Sequence, residues 1–333
     1  MQTGTMTFTR EVASRMKRAG QLALVVTVCA CSGSGDADGA GGSGGNGSTV
    51  DITDAILENR SGDCADYVEQ YAATVEDVNR GLIFEASLSV TEDSGSCRLT
   101  SNAVPNHDFN DGSEPFPNVF QEQTLALDIP RNPELADEPA VLTLTTYNGV
   151  MLNGTLIDVL AAACYGVGDE MIGCNDVSTP WRFDPMSPNN DFGTDTNNAH
   201  TQPDGTYHYH GNPVALFDDS PGSAGSPVVG FAADGFPIYG SYFFDGSTVR
   251  AAVSGYTLRE GTRPDPPDGP GGTYDGTYID DYEFTGAGDL DECNGMTVDG
   301  QYGYYVIDAY PWILRCHRGE TDPSFDKGAA GAM

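Results

Sequence analysis

Between residues 178 and 320 of this 333-residue chain, Gly, Pro, Asn and Asp recur every few positions. Each Gly or Pro inside a helix costs about 1 to 3 kcal/mol, so no long helix can run through that half. The run Arg263-Pro-Asp-Pro-Pro-Asp-Gly-Pro-Gly-Gly272 is neither helix nor strand and reads as an exposed loop. What remains between the breakers is short, aromatic and β-branched, which is strand material.

Upstream, Phe84, Ala86, Leu88 and Val90 alternate with polar residues, the period of two expected of a half-buried strand. Leu125-Ala-Leu-Asp-Ile129 and Val141-Leu-Thr-Leu-Thr-Thr-Tyr147 are further strand candidates. Two stretches read as helical: Ala65 to Val78 as a short helix, and Leu156 to Ala163 as a turn or two. The expected fold is mainly β, a disulfide-braced β-sandwich or barrel-like domain with long Gly/Pro loops and little helix.

The first thirty residues stand apart. Arg10, Arg15, Lys17 and Arg18 precede the apolar run Leu22-Ala-Leu-Val-Val-Thr-Val28. That run is too short to span a bilayer but suits the core of an export signal. It ends in Val28-Cys-Ala-Cys-Ser32, which resembles the lipobox of bacterial lipoproteins. The resemblance makes Cys31 the lipidated first residue of the mature chain, with Ser32 favouring outer-membrane sorting. An ordinary secretory signal cleaved near Ala30 is the other reading. The expected location is the bacterial cell envelope or surface, touching the membrane only through the lipid.

Residues 31–49 form a Gly/Ser-rich tether, 50–100 an N-terminal β subregion, 101–320 the main domain and 321–333 a flexible tail. The chain carries 15 Lys+Arg against 49 Asp+Glu, a formal charge of −34. Residues 1–30 hold four bases and one acid, so the remainder stands at 11 − 48 = −37. Such a surface does not bind nucleic acid or an anionic membrane through bulk charge. Beyond Cys29 and Cys31 lie Cys64, Cys97, Cys164, Cys174, Cys293 and Cys316, three local couples whose simplest pairing is 64–97, 164–174 and 293–316. No Cys-x-x-Cys or zinc-ribbon spacing occurs, which argues against a cysteine metal site or thiol catalysis.

Of five histidines, three fall within eleven residues: His200, His208 and His210. If Thr206 to His210 is extended, His208 and His210 share one face, with Tyr207 and Tyr209 on the other. His200 could return over the Pro203-Asp204-Gly205 turn as a third ligand. Three neutral imidazoles suit zinc or copper, and added carboxylates would shift the choice toward iron or manganese. The competing reading makes these histidines hydrogen-bonded structural residues. His107 is a possible fourth member, and Asp234 a possible carboxylate ligand or a partner orienting an imidazole. As structure, Asp234-Gly-Phe-Pro-Ile-Tyr-Gly240 reads as a rigid turn among buried aromatics. His317, beside Cys316, is the poorer candidate.

Gly205-Thr-Tyr-His-Tyr-His-Gly211 resembles the signature of the YHYH domain family. Ser101-Asn-Ala-Val-Pro-Asn-His107, Asn148-Gly-Val-Met-Leu-Asn153, Gly230 to Gly240, Leu290 to Gly295 and Tyr304 to Trp312 with Cys316 agree with it, so the resemblance covers roughly residues 95–320. The family implies no established reaction. Its members commonly carry a second Tyr-His-Tyr element where this chain has Tyr302-Gly303-Tyr304, which puts any role of that histidine in doubt here.

The leading functional expectation is a metal-binding envelope protein, able to act as a metal-assisted hydrolase or oxidase if a coordination position stays open. The alternative is a non-catalytic module that binds glycan or calcium through acidic and aromatic loops. Asp289, Asp291 and Glu292 are its calcium candidates; Tyr207, Tyr209, Tyr239, Tyr304, Tyr305 and Trp312 are its stacking candidates. A purely structural surface protein, with the His/Tyr motif as a brace, is the third reading. No nucleophile elbow, P-loop or dinucleotide fingerprint is present, which sets aside that hydrolase chemistry and nucleotide binding.

Overall fold

The computed structural model describes residues 49–328. Strands β1 (Val50–Asp51), β2 (Glu69–Asp77), β3 (Leu82–Glu92), β4 (Ser96–Ser101) and β5 (Leu125–Pro130) form one sheet in chain order. Only its β1–β2 pair is parallel. Next come β6 (Ala140–Val141), β7 (Gly149–Met151), β8 (Leu156–Ile157), β9 (Ala199–Thr201), β10 (Tyr207–Tyr209), β11 (Val228–Ala232) and β12 (Pro237–Tyr239). Two antiparallel pairs follow, β13 (Tyr242–Phe244) with β14 (Val249–Ala251), and β15 (Tyr256–Leu258) with β16 (Tyr282–Phe284). The last strands are β17 (Gly295–Val298), β18 (Gln301–Tyr305) and β19 (Cys316–His317), the last pairing with β6.

Eight strands make a mixed sheet curled into a half-barrel, in the order β17-β18-β12-β11-β7-β8-β10-β9. Helix among the described residues is confined to four 3₁₀ turns. The fold is therefore mainly β, as expected, and no described helix is long and apolar enough to cross a membrane.

β3 shows why the pattern reads true. Ala86, Leu88 and Val90 are buried, while Glu85 and Ser87 on either side of Ala86 are exposed and Ser89 is half-buried. Ala73, Ala86, Met151 and Tyr209 belong to one hydrophobic cluster; Leu88, Leu99, Leu127, Val150 and Phe231 belong to another. Both clusters thus draw on both large sheets. Three disulfides join Cys64 to Cys97, Cys164 to Cys174 and Cys293 to Cys316.

Two helical expectations fail. Ala65 to Val78 opens in the 3₁₀ turn Cys64–Tyr67 and then becomes β2, because all nine residues of Glu69–Asp77 find partners on β3. Leu156 to Ala163 starts as β8 and continues as loop; six of its eight residues are buried, so its hydrophobicity reflects burial on all sides and carries no helical period. Of Val141 to Tyr147, only Val141 lies in a strand.

Two boundaries also read differently in three dimensions. The first sheet runs past residue 100 to Pro130. Residues 321–328, expected within a flexible tail, are docked: Phe325 is fully buried, its carbonyl accepts from Tyr147 N, and Lys327 N donates to Thr145 O. The expectations for residues 1–48, including Cys31, lie outside the described residues.

Candidate metal centre

β10 is built from Tyr-His-Tyr, aromatic residues that favour extended backbone. It enters from the Pro203-Asp204-Gly205 turn, where Asp204 Oδ1 accepts from Thr206 N at 3.0 Å. Gly205 has φ +87°, and a Cβ there would meet Val119 O at 2.7 Å, so both backbone sign and space demand glycine. The turn folds β9 antiparallel onto β10, setting His200 directly opposite His208. His210 continues the pairing, its N–H donating to Asn198 O at 3.0 Å.

The three imidazoles meet. Ring centroids lie 4.9 Å apart for His200–His208, 4.8 Å for His200–His210 and 4.7 Å for His208–His210, a nearly equilateral triangle. His208 Nε2 is 3.0 Å from His210 Nε2, which is 3.1 Å from His200 Nε2. Two nitrogens bound tetrahedrally to zinc at 2.0–2.1 Å would stand about 3.3 Å apart. The Nε2 atoms are therefore close to ligand spacing.

The tautomers agree with this. His208 Nδ1–H donates to Thr206 O at 3.2 Å and His200 Nδ1–H to Phe192 O at 2.5 Å. Each bond places the ring proton on Nδ1 and leaves an Nε2 lone pair aimed at the centre. Burial, reinforced by the neighbouring rings, drives His208 and His210 well below the ordinary histidine range; burial also lowers His200. Lone pairs converging in a buried space are what a metal ion satisfies. The group His200, His208 and His210 could hold one.

The tyrosines of the same strand face away from the cluster. Tyr207 OH donates to Asp195 Oδ2 at 2.8 Å, and Asp195 also accepts from the backbone N–H groups of Asn110, Asn197 and Ala199. Tyr209 OH accepts from Asn153 Nδ2 at 2.9 Å and donates to His107 Nε2 at 2.6 Å. Burial raises Asp195 to about 6, the tyrosine and backbone donors opposing it.

His107 thus belongs to the tyrosine side, away from the histidine cluster. Its Nδ1–H donates to Asp108 O at 2.7 Å. Asp234 is also not brought to the cluster. Its Oδ2 accepts from Tyr304 OH at 2.6 Å and from Arg318 N and Gly319 N at 3.0 Å each, which makes it a brace for β18 and the chain after β19. His317 donates from Nε2 to Asn148 O. Gly303 lies on β18, five strand positions from β10 along the sheet, and a Cβ there would stand 2.5 Å from Tyr239 Cε2.

The loop candidates are engaged internally. Asp289 pairs with Arg250, and Asp291 accepts from Tyr302 OH, Cys293 N and Gly295 N. Tyr207, Tyr209, Tyr239, Tyr304 and Tyr305 are buried, and Trp312 donates to Asp184. Sequence reasoning missed Asp195, which sits in a polar loop with no periodic signal, and the Phe192 carbonyl, which no side chain announces.

A family model described as YHYH protein matches residues 126–319. Neither the curated proteins nor the solved structures contain a match to this chain.

Proposed function

The chain belongs to the YHYH protein family, and from that premise we propose that it is an exported, lipid-anchored envelope protein that binds a transition metal at His200, His208 and His210. The observation that carries the metal reading is the triangle of imidazoles with Nε2 atoms 3.0 and 3.1 Å apart, the Nδ1 protons of His200 and His208 being committed to backbone carbonyls. Neutral nitrogen donors of intermediate softness favour zinc or copper over calcium or magnesium. Anchoring is supported by the Val28-Cys-Ala-Cys-Ser32 run behind a basic and apolar leader, and by three disulfides, which persist in oxidising compartments.

Elemental analysis of zinc and copper in purified protein, beside the His208→Ala/His210→Ala variant, tests the centre. One metal per chain in the first and none in the second is expected. Equal, substoichiometric metal in both overturns the reading. If the cluster is instead a hydrogen-bonded brace, the double variant melts at a lower temperature and the metal content of both proteins stays negligible. For the anchor, Cys31→Ala should abolish incorporation of labelled fatty acid; continued labelling refutes lipidation at that residue.

A further inference from the structure

The five-stranded sheet carries a trough of about 560 Å³ lined by residues of β2, β3, β4 and the start of β5, with Thr49 just before β1 at one end. Its solvent-side floor is two rows of uncharged side chains, polar except for Ala72. One row is Gln70, Ser89 and Thr100, directly opposite one another on β2, β3 and β4. The other joins Ala72 and Ser87 to Asn102, whose N–H donates to Ser87 O. Charged rows bound the pair on both sides: Thr74 with Glu85, and Thr91 with Arg98 and Asp128.

Thirteen residues line the trough and none is charged, in a chain where 19% of residues are charged and acids outnumber bases 49 to 15. Solvent faces of antiparallel sheets are polar, and the flanking rows of this one include charged side chains where the trough has none. Among the described residues, no protein partner engages the side chains of Gln70, Ser87, Ser89 or Thr100. Their hydroxyl and amide groups both donate and accept, and adjacent strands repeat them at about 4.8 Å.

We propose that this trough is a binding site for an uncharged oligosaccharide. A polyol chain lying along the Gln70, Ser89 and Thr100 row meets a hydroxyl or amide on each of β2, β3 and β4, and it requires no counter-charge from the floor. Polyanions are disfavoured by the acidic surroundings, and the volume falls within the range of small-ligand sites. The aromatic residue of the lining, Tyr71, is half-buried, packs against the core and donates its hydroxyl to Tyr67 O, so the contact is hydrogen-bonded and of roughly millimolar affinity.

The test is titration of the full exported chain with three neutral hexasaccharides (maltohexaose, cellohexaose and chitohexaose), followed by calorimetry and saturation-transfer NMR. Binding of at least one is expected, at least ten-fold weaker in Ser89→Glu/Thr100→Glu, with the melting temperature retained because both positions face solvent. Should that variant fail to fold, Ser89→Lys replaces it. His208→Ala/His210→Ala should bind the sugar as the unmodified chain does, so failure of the metal reading and failure of this one are separable. No binding of any of the three at millimolar concentration, or binding unaffected by the trough substitutions, overturns the proposal.

Discussion

Tyr209 Oη stands 2.6 Å from Nε2 of His107, a residue 102 positions earlier in the chain. The strand that presents the histidine cluster on one face is therefore tied down from the other. Because Asn153 donates to the same hydroxyl, the phenol proton goes to His107 and the neutral ring keeps its proton on Nδ1. Tyr209→Phe removes the donor and leaves His107 Nε2 and Asn153 Nδ2 buried without that partner. A loss of about 1–3 kcal/mol is expected in urea unfolding. Metal content should persist, since the pairing of β10 with β8 and β9 does not involve the hydroxyl.

The buried histidines set a pH dependence whose sign is fixed. Burial lowers His208 and His210, so in metal-free protein the unfolded chain binds more protons than the folded one below about 6.5. Their contribution is complete above that pH and is lost as pH falls, by up to about 1.4 kcal/mol per pH unit for each ring. Asp184 and Asp195, both raised to about 6 by burial, act oppositely and return stability as pH falls below that value. The comparison that isolates the rings is chelator-treated protein against His208→Gln/His210→Gln, unfolded in urea between about pH 5 and 7. The variant should lose stability less steeply toward acid, and parallel curves would contradict the assignment.

Phe325 anchors the C-terminal segment, with no exposed surface. Phe325→Ala should cost about 3–5 kcal/mol, read as a lowered urea midpoint. A change of a few tenths would mean that the segment adds nothing to the fold.

The disulfides close loops of different length, 33 residues for Cys64–Cys97 and 10 for Cys164–Cys174. In the chain-entropy picture the longer loop is worth about 3.7 kcal/mol and the shorter about 2.7. Replacing each pair by alanine should therefore destabilise in that order under non-reducing conditions, as scanning calorimetry would show.

Much of the cluster was legible before folding was considered. His208 and His210 are two apart on an extended segment, and Pro203-Asp204-Gly205 is a turn that returns His200 to the same place. The alternation in β3 was legible for the same reason, since a period of two is a local property of the backbone. Ala65 to Val78 and Leu156 to Ala163 misled because partners far along the chain decided their state: β3 for the first, burial on every side for the second. His107 and Asp234 carried the right chemistry for ligands, yet their directions depend on Tyr209 and Tyr304, which nothing local specifies.

By itself, the sequence determined that the chain is mainly β, and its spacings offered three local cysteine couples and a three-histidine group as the simplest arrangements. Each follows from spacing within a few tens of residues. Only the tertiary structure decided the order of the eight strands, the side of β10 that His107 supports and the presence of an uncharged trough across the first sheet. Those depend on which distant segments lie side by side, and the free energy that selects them comes from burial and pairing summed over the whole fold.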